Sequence, residues 1–140
     1  MTSFELNEAI ADGTIAELIR VAEARQVKAL SKIADLVCGR AGIRLVLVAG
    51  GSAAGKTTTA TRLCTQIRVN GRAAYHLSTD DYFVGDARNP RDANGELDYE
   101  HVDCVDIPAL AADVNALLRG ETVGVRKFDF VHHVPLAPVR

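Results

Sequence analysis

Little in this sequence points to disulfides, to a membrane or to a polyanionic partner. Its three cysteines, Cys38, Cys64 and Cys104, are odd in number and widely spaced, and no CxxC pair occurs. That pattern excludes a disulfide framework and a zinc knuckle, and it suits a reducing cytosol. Lys and Arg number 16 against 18 Asp and Glu, a net charge of -2. No overall positive field therefore argues for nucleic acid or an anionic membrane. No apolar stretch approaches the roughly 20 residues that span a bilayer. The start, Met1-Thr2-Ser3-Phe4-Glu5, lacks the basic residues and apolar run of a secretion signal. The expectation is a cytoplasmic protein without nucleic-acid or membrane partners. Internal repeats and low-complexity segments are also lacking. What is present is 140 residues, 48% hydrophobic and 24% charged, the amount and kind of chain that folds as one ordinary globular domain.

Residues 14–38 carry Ile15, Leu18, Ile19, Ala22, Leu30, Ile33, Ala34 and Val37 at three- and four-residue steps. That spacing predicts one amphipathic helix with a single buried stripe. Thr14 and Glu17 are placed to form a capping box, and Gly39 and Gly42 to stop the helix. Ile43-Arg44-Leu45-Val46-Leu47-Val48 reads as a strand buried on both faces of a parallel sheet. A helix is expected over Lys56–Val69, ended by Asn70-Gly71, then a second strand over Ala73–Ser78. Residues 84–106 are acidic and rich in turn formers, and a connection of that length is expected to be a binding loop or lid. Asp106 with Pro108 starts a further helix over Ile107–Leu118 that closes at Gly120. Val123–Phe130 reads as a third strand. Strands alternating with helices predict an α/β fold with a mostly parallel sheet, divided into a helical segment (1–42) and a second part (43–140).

Gly50-Gly51-Ser52-Ala53-Ala54-Gly55-Lys56-Thr57 fits the phosphate-loop pattern GxxxxGK[ST]. Average composition produces that pattern by chance in roughly one chain of this length in two hundred. Here it also stands between an apolar strand pattern and a helix pattern, the arrangement the chemistry needs. Glycines let consecutive backbone N–H groups converge on phosphate oxygens, and the helix start adds the positive end of its dipole. Lys56 supplies a mobile charge for the β- and γ-phosphates, and the Thr57 hydroxyl is placed for Mg²⁺. Thr58 completes the first turn. The implied ligand is ATP or GTP with Mg²⁺.

The acceptor side is sought beyond the second strand, in Thr79-Asp80-Asp81-Tyr82-Phe83. A carboxylate there could take the proton of an attacking hydroxyl, and Asp80 is the stronger candidate over Asp81. Asp pairs at strand ends also serve as solvated caps. Tyr82 and Phe83 either form a ring platform for a flat base or cover the core. His132 and His133 by themselves read as exposed or core-satisfied residues, and His76 as structural. A zinc site from His101, Cys104, His132 and His133 lacks standard spacing. An EF-hand fails because Pro90 would occupy its first position if Gly95 took the sixth.

Three later segments occur in the order found in one family: Leu77–Phe83, Leu97-Asp98-Tyr99-Glu100-His101, and Lys127-Phe128-Asp129-Phe130-Val131-His132-His133. With the phosphate loop they resemble uridine kinase-like nucleoside kinases, of the P-loop group that includes phosphoribulokinase, over roughly residues 15–133. The resemblance implies a P-loop NTPase-type parallel sheet flanked by helices, preceded here by an N-terminal helix, and phosphorylation of uridine or cytidine at the ribose 5′-hydroxyl. It places Asp80 as the catalytic base, Glu100 on the ribose hydroxyls, and Phe128 and His133 against the pyrimidine. Phe128 stands where tyrosine is commoner, Glu100 where aspartate is, and Val102 where proline is.

The same resemblance implies a later acidic strand end and an arginine-bearing lid, neither of which occurs before Arg140. The expectation is therefore a truncated chain with an incomplete sheet, weak or absent activity by itself, and self-association through an exposed sheet edge. A sugar-phosphate or pantothenate kinase and a non-catalytic nucleotide-binding module are the alternatives. A GTPase switch is disfavoured because no NKxD sequence occurs.

Overall fold

The computed structural model describes residues 2–139, which fall into two compact units divided between His76 and Leu77. Among the described residues no helix is long and apolar enough to cross a membrane.

The first unit opens with α1 (Ser3–Ala11), a helix not anticipated from sequence. Its capping box is complete: Thr2 Oγ1 accepts from the Glu5 N–H at 3.2 Å, and the Glu5 carboxylate accepts from the Thr2 N–H at 2.6 Å. Helix α2 (Ile15–Gly39) follows almost as expected, but without the box proposed at Thr14. Thr14 has helical backbone angles (φ -89°, ψ 0°), and its hydroxyl donates backwards to the Ala9 carbonyl at 3.4 Å. Glu17 pairs with Arg20 instead. Because α1 runs through Gly13 directly into α2, Thr14 is tied to the preceding helix and never takes the extended conformation a box requires.

Helix α3 (Lys56–Val69) packs on α2, burying Leu30 and Ala34 against Leu63 and Ile67, with Val37, Cys38 and Ala74 at the margin. The single buried stripe expected along all of α2 is thus confined to its C-terminal half; Ile19 remains 51% exposed. At 1.5 Å per residue, α3 is about 21 Å long and α2 nearly twice that, so α3 covers only part of its neighbour. Polar ties close the packed end. Asn70 donates to Asp35 at 2.9 Å, and Arg72 donates to the Val37 and Ile43 carbonyls at 3.2 and 3.1 Å.

The strands expected over 43–48 and 73–78 join no ladder among the described residues, and the parallel sheet is not among the described elements. Leu47 is 83% and Tyr75 79% exposed, so neither segment has the two covered faces that such strands need. Among the described residues the named sheet has two strands, both in the second unit, so neither segment has a paired neighbour to extend from.

The second unit begins with a 3₁₀ turn (Thr79–Tyr82) and an ordered loop. Asn89 anchors the loop, its buried amide donating to the Pro90 and Asp98 carbonyls. Asp92 closes the tip by accepting from the Asn94 and Glu96 N–H groups. A second 3₁₀ turn (Val102–Cys104) leads to α4 (Ile107–Arg119). The Asp106 carboxylate accepts from the Ala109 N–H at 3.0 Å, and Gly120 ends the helix at φ 84°, as the sequence indicates.

The segment read as a third parallel strand is instead one arm of an antiparallel hairpin, β1 (Phe128–Asp129) with β2 (Val134–Pro135). The pairing extends to Leu136–Lys127 and then slips by one residue to Val125–Val139, where Gly124 admits Pro138. A Cβ at Gly124 would come within 2.8 Å of the Pro138 ring. Tyr82, Val84, Cys104 and Phe128 are the buried apolar side chains of this unit.

Candidate functional site

In the first unit the glycine-rich loop ends where α3 begins. Gly55 is the cap residue of α3 and lies in the left-handed region at φ 77°, with no side-chain cap bond on the helix. The first-turn N–H groups of Lys56, Thr57 and Thr58 are therefore not satisfied by a capping side chain, the condition under which a helix start receives an anion. Ala53 is also left-handed (φ 58°), and the Ala54 N–H closes a turn on the Gly51 carbonyl at 3.3 Å. Lys56 Nζ donates to that same Gly51 carbonyl at 2.7 Å, so its ammonium lies folded across the loop. Gly50, Gly51, Ser52, Ala53, Ala54, Gly55 and Thr57 are all exposed. Loop N–H groups, helix start and ammonium thus lie on one exposed stretch, an arrangement chemically suited to an anion. Thr57 offers one exposed hydroxyl, which suits Mg²⁺, a cation that keeps most of its shell as water and phosphate oxygen.

The second unit gathers the acceptor-side candidates. Asp80 is exposed, held by its N–H on the Ser78 hydroxyl at 3.3 Å, and its carboxylate has no partner among the described residues. Asp81 is instead paired with Lys127 Nζ at 2.8 Å. Tyr82 is buried, with its hydroxyl on Asp113 at 3.0 Å and Arg126 over its ring; burial and Asp113 push its phenol up to about 12. Phe83 sits at the centre of a ring cluster, edge-on to Phe128 at 5.4 Å, Phe130 at 6.3 Å and Tyr99 at 6.4 Å. His133 packs against Tyr99 at 5.9 Å, and its Nδ1 lies 2.8 Å from the Tyr99 hydroxyl. Glu100 is exposed beside this cluster in sequence, its N–H on the Asp98 carboxylate.

Phe83 and Phe128 therefore come together, His133 joins them through Tyr99, Tyr82 is buried, and among the described residues the side chains of Asp80 and Glu100 make no hydrogen bond to the cluster. Tyr99 and Asp86, both bonded to His133, were not singled out from sequence. Tyr99 lay inside a recognised segment, whereas nothing local marks Asp86. The four-residue turn beyond Asp129 is held by its carboxylate, which accepts from the Val131 and His132 N–H groups and contacts His132 Nδ1 at 2.7 Å. Those bonds, His132 first, pull the Asp129 carboxyl down to about 2. Among the described residues no group of three metal-ligating side chains occurs, so the zinc arrangement has no geometric basis.

The first unit thus brings together a glycine-rich loop, a helix start without a side-chain cap and a lysine lying across the loop. Comparison with known proteins narrows the class. The chain is similar to the uridine kinase of Lactobacillus helveticus, 32% identical over 89 residues, covering 64% of this chain and 42% of that protein. It is similar to the uridine kinase of Deinococcus deserti, 34% identical over 86 residues, 61% of this chain and 41% of that one. The uridine kinase of Chloroflexus aurantiacus is 30% identical over 92 residues, 66% of this chain and 43% of that one. Over these stretches the chain resembles uridine kinases, and it spans about two fifths of the length of the relatives it matches. No family model matches the chain, and no solved structure matches it.

Proposed function

We propose that this chain binds ATP or GTP with Mg²⁺ on the Gly50–Thr57 loop and is part of a nucleoside kinase of the cytoplasm. In this reading residues 1–42 are a helical prelude, and residues 43–140 are the N-terminal part of the kinase domain. The acceptor is uridine or cytidine. Its ribose 5′-oxygen forms a bond to the γ-phosphorus, the bond from that phosphorus to the β–γ bridging oxygen breaks, and the 5′-hydroxyl proton goes to Asp80. The observation that carries the reading is the uncapped start of α3 beneath Lys56, on a chain similar to uridine kinases.

Each residue has a chemical reason for its role. Lys56 exchanges the Gly51 carbonyl for phosphate oxygens, trading a neutral acceptor for a charged one. The loop N–H groups hold the β-phosphate, with Ser52, Ala53, Ala54 and Thr58 supplying backbone and Thr57 a hydroxyl for the metal. Bound Mg²⁺ would supply charge neutralisation on the phosphates. Among the described residues no cation holds the Asp80 carboxylate, whereas Lys127 holds that of Asp81, and Asp80 is therefore assigned as the proton acceptor. Phe83, Phe128 and His133 are assigned to the base and Glu100 to the ribose, with Tyr82 supporting the ring cluster from the core.

Isothermal calorimetry with Mg·ATP tests the reading. Binding is expected, weakened about tenfold or more by Lys56→Ala, a loss on the order of 1.4 kcal/mol. Asp80→Asn is expected to leave that binding intact and to reduce any uridine-dependent release of ADP by about 10² or more. Absence of heat with wild-type protein would overturn the proposal. Nucleotide binding with no nucleoside-dependent change in any variant would favour a non-catalytic binding module.

A further inference from the structure

His133 is half-buried and held in an unusual way. Its backbone is left-handed at φ 55°, a conformation that side-chain-bearing residues adopt at a cost of about 1 kcal/mol or more. The Asp86 N–H donates to the His133 carbonyl at 3.3 Å. The neighbouring glycine makes that approach possible: at Gly85 (φ 80°) a Cβ would stand 3.0 Å from the His133 carbonyl oxygen and 3.0 Å from Pro135 Cδ. The ring is fixed as firmly as the backbone. Nδ1 lies 3.2 Å from Asp86 Oδ1 and 2.8 Å from the Tyr99 hydroxyl, and the Tyr99 hydroxyl in turn donates to Asp86 Oδ1.

Three polar atoms in mutual contact admit few proton arrangements. A phenol has one proton and an ionised carboxylate has none. Because Tyr99 donates its proton to Asp86, the phenol oxygen faces Nδ1 as an acceptor, as does Asp86 Oδ1. Nδ1 must therefore carry a hydrogen. The alternative, Tyr99 donating to a bare Nδ1, would set the Nδ1 lone pair against the Asp86 carboxylate and leave that carboxylate without either donor. The bond from Tyr99 to Asp86 also raises the Tyr99 phenol above its ordinary range, which keeps that proton in place. With Nδ1 committed, Nε2 is an acceptor whenever the ring carries a single proton. It has no partner among the described residues, and the His133 side chain is 45% exposed.

We propose that Asp86 and Tyr99 are positioning residues that lock His133 as its Nδ1–H tautomer and so present Nε2 as a hydrogen-bond acceptor beside the ring cluster. The ligand this suits is a flat heterocycle that stacks or packs edge-on against the cluster and carries an N–H on its edge. Uracil offers a ring imino N–H and cytosine an exocyclic amino N–H. The ligand part of the inference rests on the nucleoside-kinase reading; the tautomer does not.

Long-range ¹H–¹⁵N spectra of the ¹⁵N-histidine-labelled full chain, with His133→Gln to assign the resonance, read the tautomer directly. His133 is expected in the Nδ1–H form, against the Nε2–H form that free imidazoles favour. Asp86→Ala is expected to release it to the Nε2–H form, and Asp86→Asn, which keeps an acceptor oxygen, to restore the lock. Tyr99→Phe serves as a second variant if Asp86→Ala does not fold, and is expected to loosen the lock partially. A wild-type His133 in the Nε2–H form, or one unchanged by Asp86→Ala, overturns the proposal whatever binds. Titration with uridine and cytidine is expected to shift the Nε2 resonance, while methyl riboside, which has no N–H, leaves it unmoved. Asp86→Ala is expected to weaken the nucleoside that binds by about tenfold, the loss of one well-placed hydrogen bond. If the tautomer is locked but neither nucleoside moves Nε2, the assigned ligand is wrong and the pyrimidine acceptor falls with it, while the positioning role stands.

Discussion

At Gly55 the backbone turns left-handed with open space where a Cβ would be, nothing lying within 4 Å of that position. Any cost of a side chain there is therefore conformational and not a clash. Gly55→Ala is expected to destabilise the start of α3 by about 1 kcal/mol, after allowing for the smaller unfolded-state entropy of alanine. Its larger effect should fall on ligand binding, because the same turn aims the first-turn N–H groups. Chemical denaturation and calorimetry with Mg·ATP on one sample separate the two. A binding loss no greater than the stability loss would show that the turn only builds the helix. This residue was legible from sequence, since the phosphate-loop pattern is contiguous and its glycine is defined by a local backbone need. Asp86 was not, because it acquires meaning only when the chain returns at His133.

Among the elements, the helices with strong end signals emerged within a residue or so of their expected bounds, as Asp106 and Gly120 show for α4. Helix α1 was missed because nine residues give too short a periodic pattern, although Thr2 and Glu5 carried the same box signature that was credited to Thr14 and Glu17. The expected strand over Val123–Phe130 supplies one arm of the hairpin, and the returning arm at Val134–Pro135 is not foreseen, because β-branched and aromatic residues do not say where a chain will turn. Asp129 decides that, by capping the turn through Val131 and His132. Its carboxyl is lowered to about 2, from an ordinary 3.8, by the His132 side chain first and then by those backbone bonds. A carboxylate with a lower pKa in the folded state adds stability above its unfolded value and loses it as pH falls through the folded one. The Asp129 contribution should thus be complete above pH of about 4 and lost toward pH 2. Asp129→Asn is expected to lower hairpin stability at neutral pH and to flatten its dependence across that window, as followed by amide chemical shifts of residues 128–135. An acid transition of unchanged midpoint and slope in the variant would assign it to other carboxylates.

At the scale of the whole molecule, the sequence pattern of the first unit asks for more than the chain builds. Ile43–Val48 and Ala73–Ser78 have the composition of central parallel strands, yet sheet formation depends on partners elsewhere in the chain, and no local run of valines reveals whether those are present. The ring cluster of the second unit is likewise beyond composition: Phe83, Tyr99, Phe128 and His133 come from distant segments, and the family resemblance groups only Phe128 and His133. The unpaired segments have a physical consequence. Leu45 is 51%, Leu47 83% and Tyr75 79% exposed, on stretches whose backbone donors and acceptors have no ladder to join. Apolar, β-prone segments with free backbone groups pair with whatever similar edge they meet. The chain is therefore expected to self-associate, with a sedimentation-velocity average that climbs with protein concentration. Leu47→Asp places a charge in the middle of the most exposed run and should abolish the climb, while leaving the α2–α3 core, built on Leu30, Ala34, Leu63 and Ile67, intact by circular dichroism. A wild-type chain that sediments as a monomer at every concentration would mean that these segments are covered in solution, and that the exposed faces on α2 and near Tyr75 are covered in the same way.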